Sequence, residues 1–530
     1  MTRFISRYAD RIKGVLSGFD RLVFRGTLRP LAYVQGFQMY LNVVGVRLTD
    51  FADHATAVTR EVREASLVEA QRVGAPIVYL RSSQTSKEET ARSIAAERQV
   101  QTGLVCVLKS VELCRSYKVV GNRETQRLEL ELGQRKCLHL YHYWMHPVFG
   151  FMNARIQTWY PFNVQICLNG REWLARQMDA EGMPYVRHDN CFADVGDFAR
   201  AQELLDEQLK SNWPQLLGEV GRQLNPIHDH LFERFHADYY WSTAQSEWAT
   251  DILFHDPQFL ANLYPKLAYH AMTTLNSPDV MRFLGRTLTP SGGIHPAFQG
   301  DVTTDLKRRV EGTRVKHAVN ANSVKAYDKL YTPVVAALRV ETTINNAEEF
   351  KVYRPKEGGE DTDLAWRELR KGTADLARRG EVSQRANERY LDALASVDDS
   401  ATLAEATRRV AQRTTWMGRS VRALNPFCPS DLQLFQAVSQ GEFAIAGMRN
   451  RDLRRLLYDG EAASVEERRR QSGCVTRKIR LLRAHGILQK VNKTNRYQLT
   501  ASGRRLITAI LTARDTKISQ LAPEPLPNAA

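Results

Sequence analysis

The sequence predicts an α+β protein of several domains, with a mixed or antiparallel sheet, a helical insertion and a separate C-terminal module. The chain has 530 residues, which is enough for two to four domains with their own cores. Strand-like runs occur before residue 195 and again after residue 300, and the stretch between them has a helical pattern. We therefore expect strands that are distant in sequence to meet in one sheet.

The predicted domain boundaries follow changes of pattern along the chain. They are 1–195 for the first part of the α+β domain, 196–300 for the helical insertion, 301–355 for the returning strands, 356–425 for a helical linker, 426–515 for the C-terminal module and 516–530 for a disordered tail. A helix, "ISRYADRIKGVL", is predicted before a strand that covers Gly18 to Leu28. The segment "SEWATDILF" is predicted as helix within the insertion. No internal sequence repeat is evident.

The charge distribution points to a nucleic-acid partner. The chain has 74 basic and 59 acidic residues, a net charge of +15, and residues 421–520 hold 19 of the basic and 8 of the acidic ones. A basic excess concentrated in one module is typical of nucleic-acid binding. The seven cysteines form no CxxC pair, no secretory signal opens the chain, and no apolar run is long enough to span a membrane. We expect a cytoplasmic protein without disulfides or a membrane segment.

The C-terminal module has the pattern of three helices, a two-stranded hairpin and a closing helix. "PSDLQLFQAV", "MRNRDLRRLLY" and "SGCVTRKIRLLRAHG" each place apolar residues on one helical face. Over roughly residues 428–515 the module resembles the winged helix-turn-helix of MarR-like regulators, most specifically in "RLLRAHGILQKVNKTNRYQLTASGRRL". That fold places its third helix in the major groove and its wing against the DNA backbone. The resemblance implies nucleic-acid contacts from Thr476, Arg477, Lys478, Arg480 and Arg483 on the helix and from Lys493 and Arg496 in the wing. The alternative is a winged helix that makes only protein contacts.

A predicted β-hairpin between Ser323 and Asn346 collects charged residues on one face. Residues two apart on a strand share a face, and the segment Leu330–Ala337 suits the connection. Paired antiparallel, the two strands place five polar side chains together: Lys325, Tyr327, Lys329, Arg339 and Glu341.

The order of elements before residue 345 resembles that of rolling-circle replication initiators from plasmids and filamentous phages. The matching elements are "FDRLVF", "VQICLNG", "YVRHDNCF" and the most specific one, the segment from Gly312 to Glu341. A long insertion before the last segment departs from that pattern. The resemblance implies a mobile-element protein that nicks single-stranded DNA with a metal ion and leaves a 5′-phosphotyrosine.

On this interpretation the hairpin is an active site. Tyr327 would attack the phosphodiester, and Lys325, Lys329 and Arg339 would provide positive charge for phosphate and phenolate. Glu341 and Asp189 would bind Mg²⁺ or Mn²⁺, since these ions prefer carboxylate ligands. The alternative is that Glu341 pairs with Arg339 or a lysine in a structural network.

Two other functions remain open from the sequence. An RNase H-like transposase would use Asp20, Asp189 and Glu341 as a metal-binding triad, although a structural or capping role at the start of its strand is favoured for Asp20. A non-enzymatic transcriptional or replication regulator would use only the winged helix. The predicted helix from Ala374 to Val397 could serve as a connector or as a homodimer contact.

A cluster of cysteine and histidine residues in "KCLHLYHYWMH" raises the question of a metal site. His142 and His146 would align on a helix as zinc ligands can, but the aromatic neighbours favour a strand. Partly buried structural histidines are favoured over ligands. His139 and His142 could instead complete the carboxylate site.

Overall fold

The structure is a computed structural model of the chain. It describes residues 2–82, 84–289, 293–309, 312–331, 335–356, 362–395, 403–440, 443, 447–458, 462–491 and 494–516.

Helices occur throughout the described part of the chain. Their bounds are α1 Arg3–Arg7, α2 Val34–Val43, α3 Phe51–Arg72, α4 Lys87–Glu97, α5 Gly170–Glu181, α6 Phe198–Gln208, α7 Trp213–Leu224, α8 His228–Leu231, α9 Pro257–Thr273, α10 Ser277–Phe283, α11 Leu376–Leu394, α12 Leu403–Arg408, α13 Pro429–Val438, α14 Asn450–Leu457, α15 Val465–Ala484 and α16 Ala501–Asp515. None of the helices in these residues combines the length and apolar content needed to cross a bilayer.

Most strands belong to one large sheet. The strand bounds are β1 Ile12–Leu28, β2 Ile77–Tyr79, β3 Gly103–Asn122, β4 Arg127–His146, β5 Gly150–Gln157, β6 Val164–Asn169, β7 Tyr185–His188, β8 Cys191–Val195, β9 Tyr239–Phe254, β10 Val302–Arg309, β11 Gly312–Val319, β12 Asn322–Tyr331, β13 Val335–Ile344, β14 Lys351–Arg354, β15 Ala365–Glu368, β16 Thr414–Trp416, β17 Arg419–Val421, β18 Leu488–Lys490 and β19 Tyr497–Leu499. Eleven strands pair in the order β10-β11-β12-β13-β9-β1-β6-β5-β4-β3-β2. The predicted α+β class, with a large mixed sheet, is confirmed.

The large sheet contains two halves with the same connectivity. In the first, β1 is followed by helices and the short edge strand β2, and then by β3 to β6, with spatial order β1-β6-β5-β4-β3; β2 is an addition that the second half lacks. In the second, β9 is followed by helices and then by β10 to β13, with spatial order β9-β13-β12-β11-β10. The halves meet at the antiparallel pair β1–β9, as two copies of one unit do about an approximate two-fold axis. The fold therefore contains a repeat that is not evident in the sequence.

Helices lie on both faces of this sheet: α3 and α11 pack on one face, and α4 and α6 pack on the other. The second face is called the polar face because charged groups gather at its centre, beside α6. Trp248 on β9 packs edge-on against Phe19 of β1 within the larger hydrophobic core, and a second core lies under α9, α10 and α11. The Asn387 side chain on α11 donates to the backbone oxygens of Trp248 and Val340, at 3.1 and 3.0 Å. The helix predicted as a linker is thus part of the large domain. Because side chains alternate along a strand, the residues between the core positions reach the opposite face, where the charged groups lie.

The predicted helical insertion is wrong in one important place. The segment "SEWATDILF" lies in β9, a strand at the centre of the sheet between β1 and β13. Almost every residue from Ser246 to Phe254 is buried, because α11 covers one face and the β7–β8 hairpin, α5 and charged partners cover the other. A strand buried on both faces lacks the polar–apolar alternation that identifies strands in a sequence. The helices α6, α7, α9 and α10 around it agree with the prediction.

Two further boundaries differ from the sequence prediction. Helix α1 ends at Arg7 and β1 begins at Ile12, so Asp20 lies in the middle of a long strand rather than at its start. "PYVRHDNCF" forms a small hairpin, β7–β8, rather than one strand, and Asp189 lies in its turn with φ of 52°. Asp189 is exposed.

The predicted Ser323–Asn346 hairpin is confirmed. Strands β12 and β13 pair antiparallel, with Lys325 opposite Glu341 and Tyr327 opposite Arg339. The predicted connection around Pro333 includes residues 332–334, which lie outside the described residues.

The C-terminal module forms its own core and docks on the large domain. Helices α13 to α16 and the pair β18–β19 follow the predicted order, and α15 begins earlier than predicted. The Gln440 side chain bonds to the backbone nitrogen and oxygen of Leu288, at 3.3 and 3.2 Å, which joins the module to the large domain. The predicted tail from residue 517 onward, and Lys493 in the predicted wing, lie outside the described residues.

Candidate metal centre on the polar face of the sheet

Three carboxylates from three adjacent strands converge on the polar face. They are Asp20 on β1, Glu247 on β9 and Glu341 on β13, and one ligand atom from each lies within 4.8 Å of the others. Asp20 and Glu341 are buried, and Glu247 is half-buried. Oxygen ligands at this spacing suit a hard divalent cation. This acidic triad could hold a metal ion.

A β-bulge brings Asp20 into the triad. The register between β1 and β9 shifts between Phe19 and Arg21, so that Phe19 pairs with Trp248 and Arg21 pairs with Glu247. Asp20 is the extra residue at this shift. A bulge re-aims a side chain that regular alternation would direct elsewhere, and bulges are common beside active sites.

Two cations compensate the charge of the triad. The Lys325 ammonium donates to Glu341 at 2.7 Å and lies 3.5 Å from Glu247. The Arg339 guanidinium lies 3.2 Å from Asp20. A buried carboxylate without such a partner would take up a proton instead of remaining ionised. The triad is therefore held in a nearly charge-balanced network.

A further ion pair, with Asp251, holds Arg339 in place. Asp251 on β9 accepts from Arg339 at 2.6 and 2.9 Å and forms an ion pair with Arg171 of α5 at 2.9 Å. Arg171 also donates to the backbone oxygen of Ala249 at 3.1 Å. All three charged groups are almost fully buried. This arrangement fixes the guanidinium of Arg339, and with it the position of Asp20.

The carboxyl groups of the triad differ in pKa. Burial raises the pKa of Asp20 above its ordinary value, although Arg339 opposes this effect. Burial and the neighbouring Glu341 raise the pKa of Glu247. For Glu341 burial also favours the acid, but Lys325 and Arg339 outweigh it and hold its pKa below the usual range. The triad therefore combines a firmly ionised carboxylate with two that take up protons more readily.

Tyr327 lies next to the triad as a neutral phenol. Burial raises its pKa to about 12, and the tyrosine is 7% exposed. The Lys329 ammonium lies 5.4 Å from the centre of its ring. A phenol in this state is a poor nucleophile until its proton is removed or a cation stabilises the phenolate.

The β7–β8 turn covers one side of the centre. The Asn190 side-chain amide donates to both Asp20 oxygens, at 3.0 and 3.3 Å, and accepts from Lys329 at 3.4 Å. The backbone oxygen of Asn190 accepts from Arg339 at 2.6 Å. Asp189, the predicted metal ligand, belongs to the same turn but is exposed and is not a member of the acidic triad. The predicted transposase triad of Asp20, Asp189 and Glu341 is therefore not formed, because Asp189 faces solvent in this turn. The third carboxylate of the cluster is Glu247 instead.

The cysteine–histidine cluster lies on β4, as the favoured strand prediction required. His139 is buried with Nδ1 at 3.2 Å from the backbone oxygen of Cys137, and His142 Nε2 lies 2.9 Å from the backbone oxygen of Ser66. Burial lowers the pKa of both histidines to about 4. These neutral histidines are bonded to backbone groups and do not complete the carboxylate site.

Of the residues predicted to contact nucleic acid from α15, some are exposed to solvent and others pack on an aromatic ring. Thr476 and Arg477 are exposed on α15 and Lys478 is half-buried. Arg480 and Arg483 lie over the ring of Trp416, at 5.7 and 5.1 Å.

Arg496 does not match its predicted role as a phosphate contact. It is 7% exposed and stacks on the Tyr353 ring at 3.6 Å. Its guanidinium holds the module against the large domain. Three exposed arginines at the start of α15 extend the basic surface instead: Arg468, Arg469 and Arg470.

Four residues of the centre were missed by sequence reasoning. They are Glu247, Asp251, Arg171 and Asn190. The two acidic residues lie four apart on the segment that was predicted as helix, where such spacing suggests one helical face. The aromatic and β-branched residues in "YYWSTAQSEWATDILF" were the available signal for a strand.

The chain matches no protein-family model, no curated protein and no solved structure.

Proposed function

We propose that this protein binds DNA through its C-terminal module and cleaves a strand of DNA at the acidic triad with a divalent metal ion. The observation that carries the proposal is the convergence of Asp20, Glu247 and Glu341 within 4.8 Å, next to Tyr327. Carboxylates from neighbouring strands of one sheet are a common way to hold Mg²⁺ or Mn²⁺ for phosphodiester chemistry. The expected setting is the replication or transfer of a mobile element, as the rolling-circle resemblance implies.

The metal would be held by the three carboxylates and would supply a Lewis acid that polarises the phosphate. Tyr327 Oη would attack phosphorus and its proton would pass to solvent or a carboxylate. The bond from phosphorus to the 3′ oxygen would break, and that oxygen would take up a proton from solvent. The products are a 5′-phosphotyrosine and a free 3′-hydroxyl group. Lys329, close to the ring, would stabilise the phenolate as it forms.

Cations along β1 give the substrate strand a path away from the centre. Arg21 pairs with Glu247 in the β1–β9 ladder, and Arg25 pairs with Ser242 farther along; both arginines are exposed. Four residues along a strand span about 13 Å. Exposed guanidinium groups beside a metal centre suit the phosphates of a nucleic acid.

The C-terminal module would hold duplex DNA. Its exposed cations on α15 lie on the helix that a winged helix-turn-helix inserts into the major groove. Exposed arginines at phosphates supply affinity that falls with salt, and base-edge contacts supply the preference for a sequence.

The test is cleavage of labelled single-stranded DNA and of supercoiled plasmid with Mg²⁺ or Mn²⁺. We expect a covalent protein–DNA adduct with the wild type, no adduct with Tyr327→Phe, and no cleavage with Glu247→Gln. Glu64→Gln, a change at an exposed glutamate of α3, is the matched control and should cleave normally. Cleavage that survives Tyr327→Phe but not Glu247→Gln would assign water as the nucleophile. Normal cleavage by Glu247→Gln would refute the metal centre.

The second candidate function is a DNA-binding regulator without catalysis. The observation in its favour is that Lys325 and Arg339 already pair with the carboxylates of the triad. A charge-balanced buried network can serve to specify one sheet arrangement. The regulator would bind duplex DNA in a salt-dependent way, cleave no DNA, and show no change in melting temperature with Mn²⁺.

A further inference from the structure

A small hairpin beside α15 carries an exposed methionine at its tip. Strands β16 and β17 pair with Trp416 opposite Arg419, which leaves Met417 and Gly418 as the turn. Both turn residues have positive φ angles, 51° and 72°. Two-residue hairpin turns with two positive φ angles favour Asn or Asp followed by Gly. Gly418 fits this turn, whereas a long side chain such as that of Met417 is disfavoured there.

Met417 is also 79% exposed, the largest exposed fraction among the exposed large apolar residues of the described chain. The position thus combines two unfavourable features, a strained backbone and an apolar side chain in water. Strained residues that persist are concentrated at functional sites. We therefore infer that the tip binds a partner.

The charge around the hairpin identifies the kind of partner. Residues 406–430 contain five arginines and no acidic residue: Arg408, Arg409, Arg413, Arg419 and Arg422. All five are exposed, and Arg422 is also paired with Asp431 at 2.6 Å. A surface on which exposed arginines outnumber the nearby carboxylates is complementary to a polyanion.

The hairpin is braced on the helix that we assign to DNA binding. The guanidinium groups of Arg480 and Arg483 lie 5.7 and 5.1 Å from the centre of the Trp416 ring. Cation–π contacts of this kind hold the two elements together. The tip is therefore held at a defined place beside α15.

We propose that the Thr414–Val421 hairpin is a second DNA-contact element, in which Met417 enters the minor groove of duplex DNA and wedges between two base pairs. Proteins that bend DNA from the minor groove insert single apolar side chains in this way, methionine among them. Arg413 and Arg419 bind the phosphates on either side. The inference rests on the proposed DNA binding by the C-terminal module and is independent of cleavage at the acidic triad.

The experiment uses the full-length protein and a short mixed-sequence duplex with 2-aminopurine at a TpA step, which is easily unstacked. Unstacking raises the fluorescence of this base, so wild-type binding increases the signal. The key variant is Met417→Asn, because asparagine tolerates positive φ. It should keep or raise the melting temperature, abolish the fluorescence increase and weaken duplex binding about fivefold. Met39→Ala, a change at a methionine that is 61% exposed on α2, is the control and should behave as wild type.

Salt dependence separates the wedge from the phosphate contacts. Met417→Asn removes no cation, so the slope of log affinity against log salt should stay unchanged. Arg419→Ala should lower that slope by about one.

Three outcomes would overturn the inference. Duplex binding without a fluorescence increase, or a Met417→Asn variant that unstacks the base like wild type, would refute the wedge and leave the proposed function standing. Met417-dependent binding to anionic lipid vesicles, with duplex binding unaffected, would assign the tip to a membrane surface. Conversely, a Met417-dependent signal in a protein that cleaves no DNA would support the wedge and refute the proposed cleavage.

Discussion

Replacing Lys325 with methionine tests the charge balance of the acidic triad. The change removes the ammonium that lies 2.7 Å from Glu341 and 3.5 Å from Glu247, and it keeps a long unbranched side chain. The Lys325 and Glu341 side chains are only 10% and 6% exposed, so water screens their interaction little. Removing one partner of a buried ion pair costs about 3–5 kcal/mol, since the other charge remains buried without compensation.

The expected loss can be measured by thermal unfolding in EDTA. At about 2.1 cal/mol/K per residue, the large domain of about 390 residues has an unfolding entropy of roughly 0.8 kcal/mol/K, so a loss of about 3–5 kcal/mol lowers the melting temperature by about 4–6 °C. Lys316→Met is the matched control, because Lys316 pairs with Lys325 in the β11–β12 ladder but is only half-buried. The control should melt close to the wild type.

Adding Mn²⁺ should then raise the melting temperature of Lys325→Met back toward that of the wild type. A divalent cation replaces the missing ammonium between Glu247 and Glu341, and a ligand at 100 times its Kd adds about 2.7 kcal/mol. The wild type should gain less, because the ammonium of Lys325 opposes the binding of a cation. A Lys325→Met protein that melts like the wild type in EDTA would refute the assigned ion pair. An equal shift with Mn²⁺ in both proteins would refute the metal site.

Three further predictions test other parts of the structure. Burial raises the pKa of Asp20, so the folded protein keeps a proton there in a pH range where the unfolded chain has lost it. The free energy of unfolding should therefore fall as the pH rises above about 4, and Asp20→Asn should flatten this part of the curve of melting temperature against pH in EDTA. A Cβ at Gly170 would lie 1.8 Å from a backbone oxygen of β1, so Gly170→Ala should destabilise the protein strongly. Gly218→Ala has open space on a helix and should stabilise it by about 0.5–1 kcal/mol; equal melting temperatures for the two variants would contradict the close packing. Arg477→Ala should weaken binding to duplex DNA uniformly across sequences and lower the salt slope by about one if this arginine contacts phosphate, whereas a change in sequence preference would assign it to base edges.

The periodicity of the sequence predicted part of the candidate site. The period of two in the Ser323–Asn346 segment placed Lys325, Tyr327, Arg339 and Glu341 on one face, and the β12–β13 register confirms it. The alternative that Glu341 pairs with a lysine also agrees with the structure, in which that lysine is Lys325. Both features depend on residues close in sequence, whose relation a hairpin determines.

The sequence prediction of site residues was wrong where the position of a residue in the fold cannot be inferred from its neighbours along the chain. Asp189 and Asn190 are neighbours in one turn, and only the packing of that turn decides that the asparagine reaches Asp20 while the aspartate faces solvent. Glu247 was missed because β9 is buried on both faces and so lacks the alternation of an ordinary strand.

The sequence by itself determined the α+β class, the hairpin with its charged face and the basic excess of the C-terminal region, because each depends on composition or on neighbours along the chain. Only the tertiary structure decided that β1 and β9 lie side by side at the junction of two like halves. That pairing brings together Asp20 and Glu247, which are far apart in sequence. Backbone hydrogen bonds and side-chain packing between distant segments set the order of strands in a sheet, and neither depends on a pattern within one segment. The acidic triad exists because three strands from distant parts of the chain became neighbours.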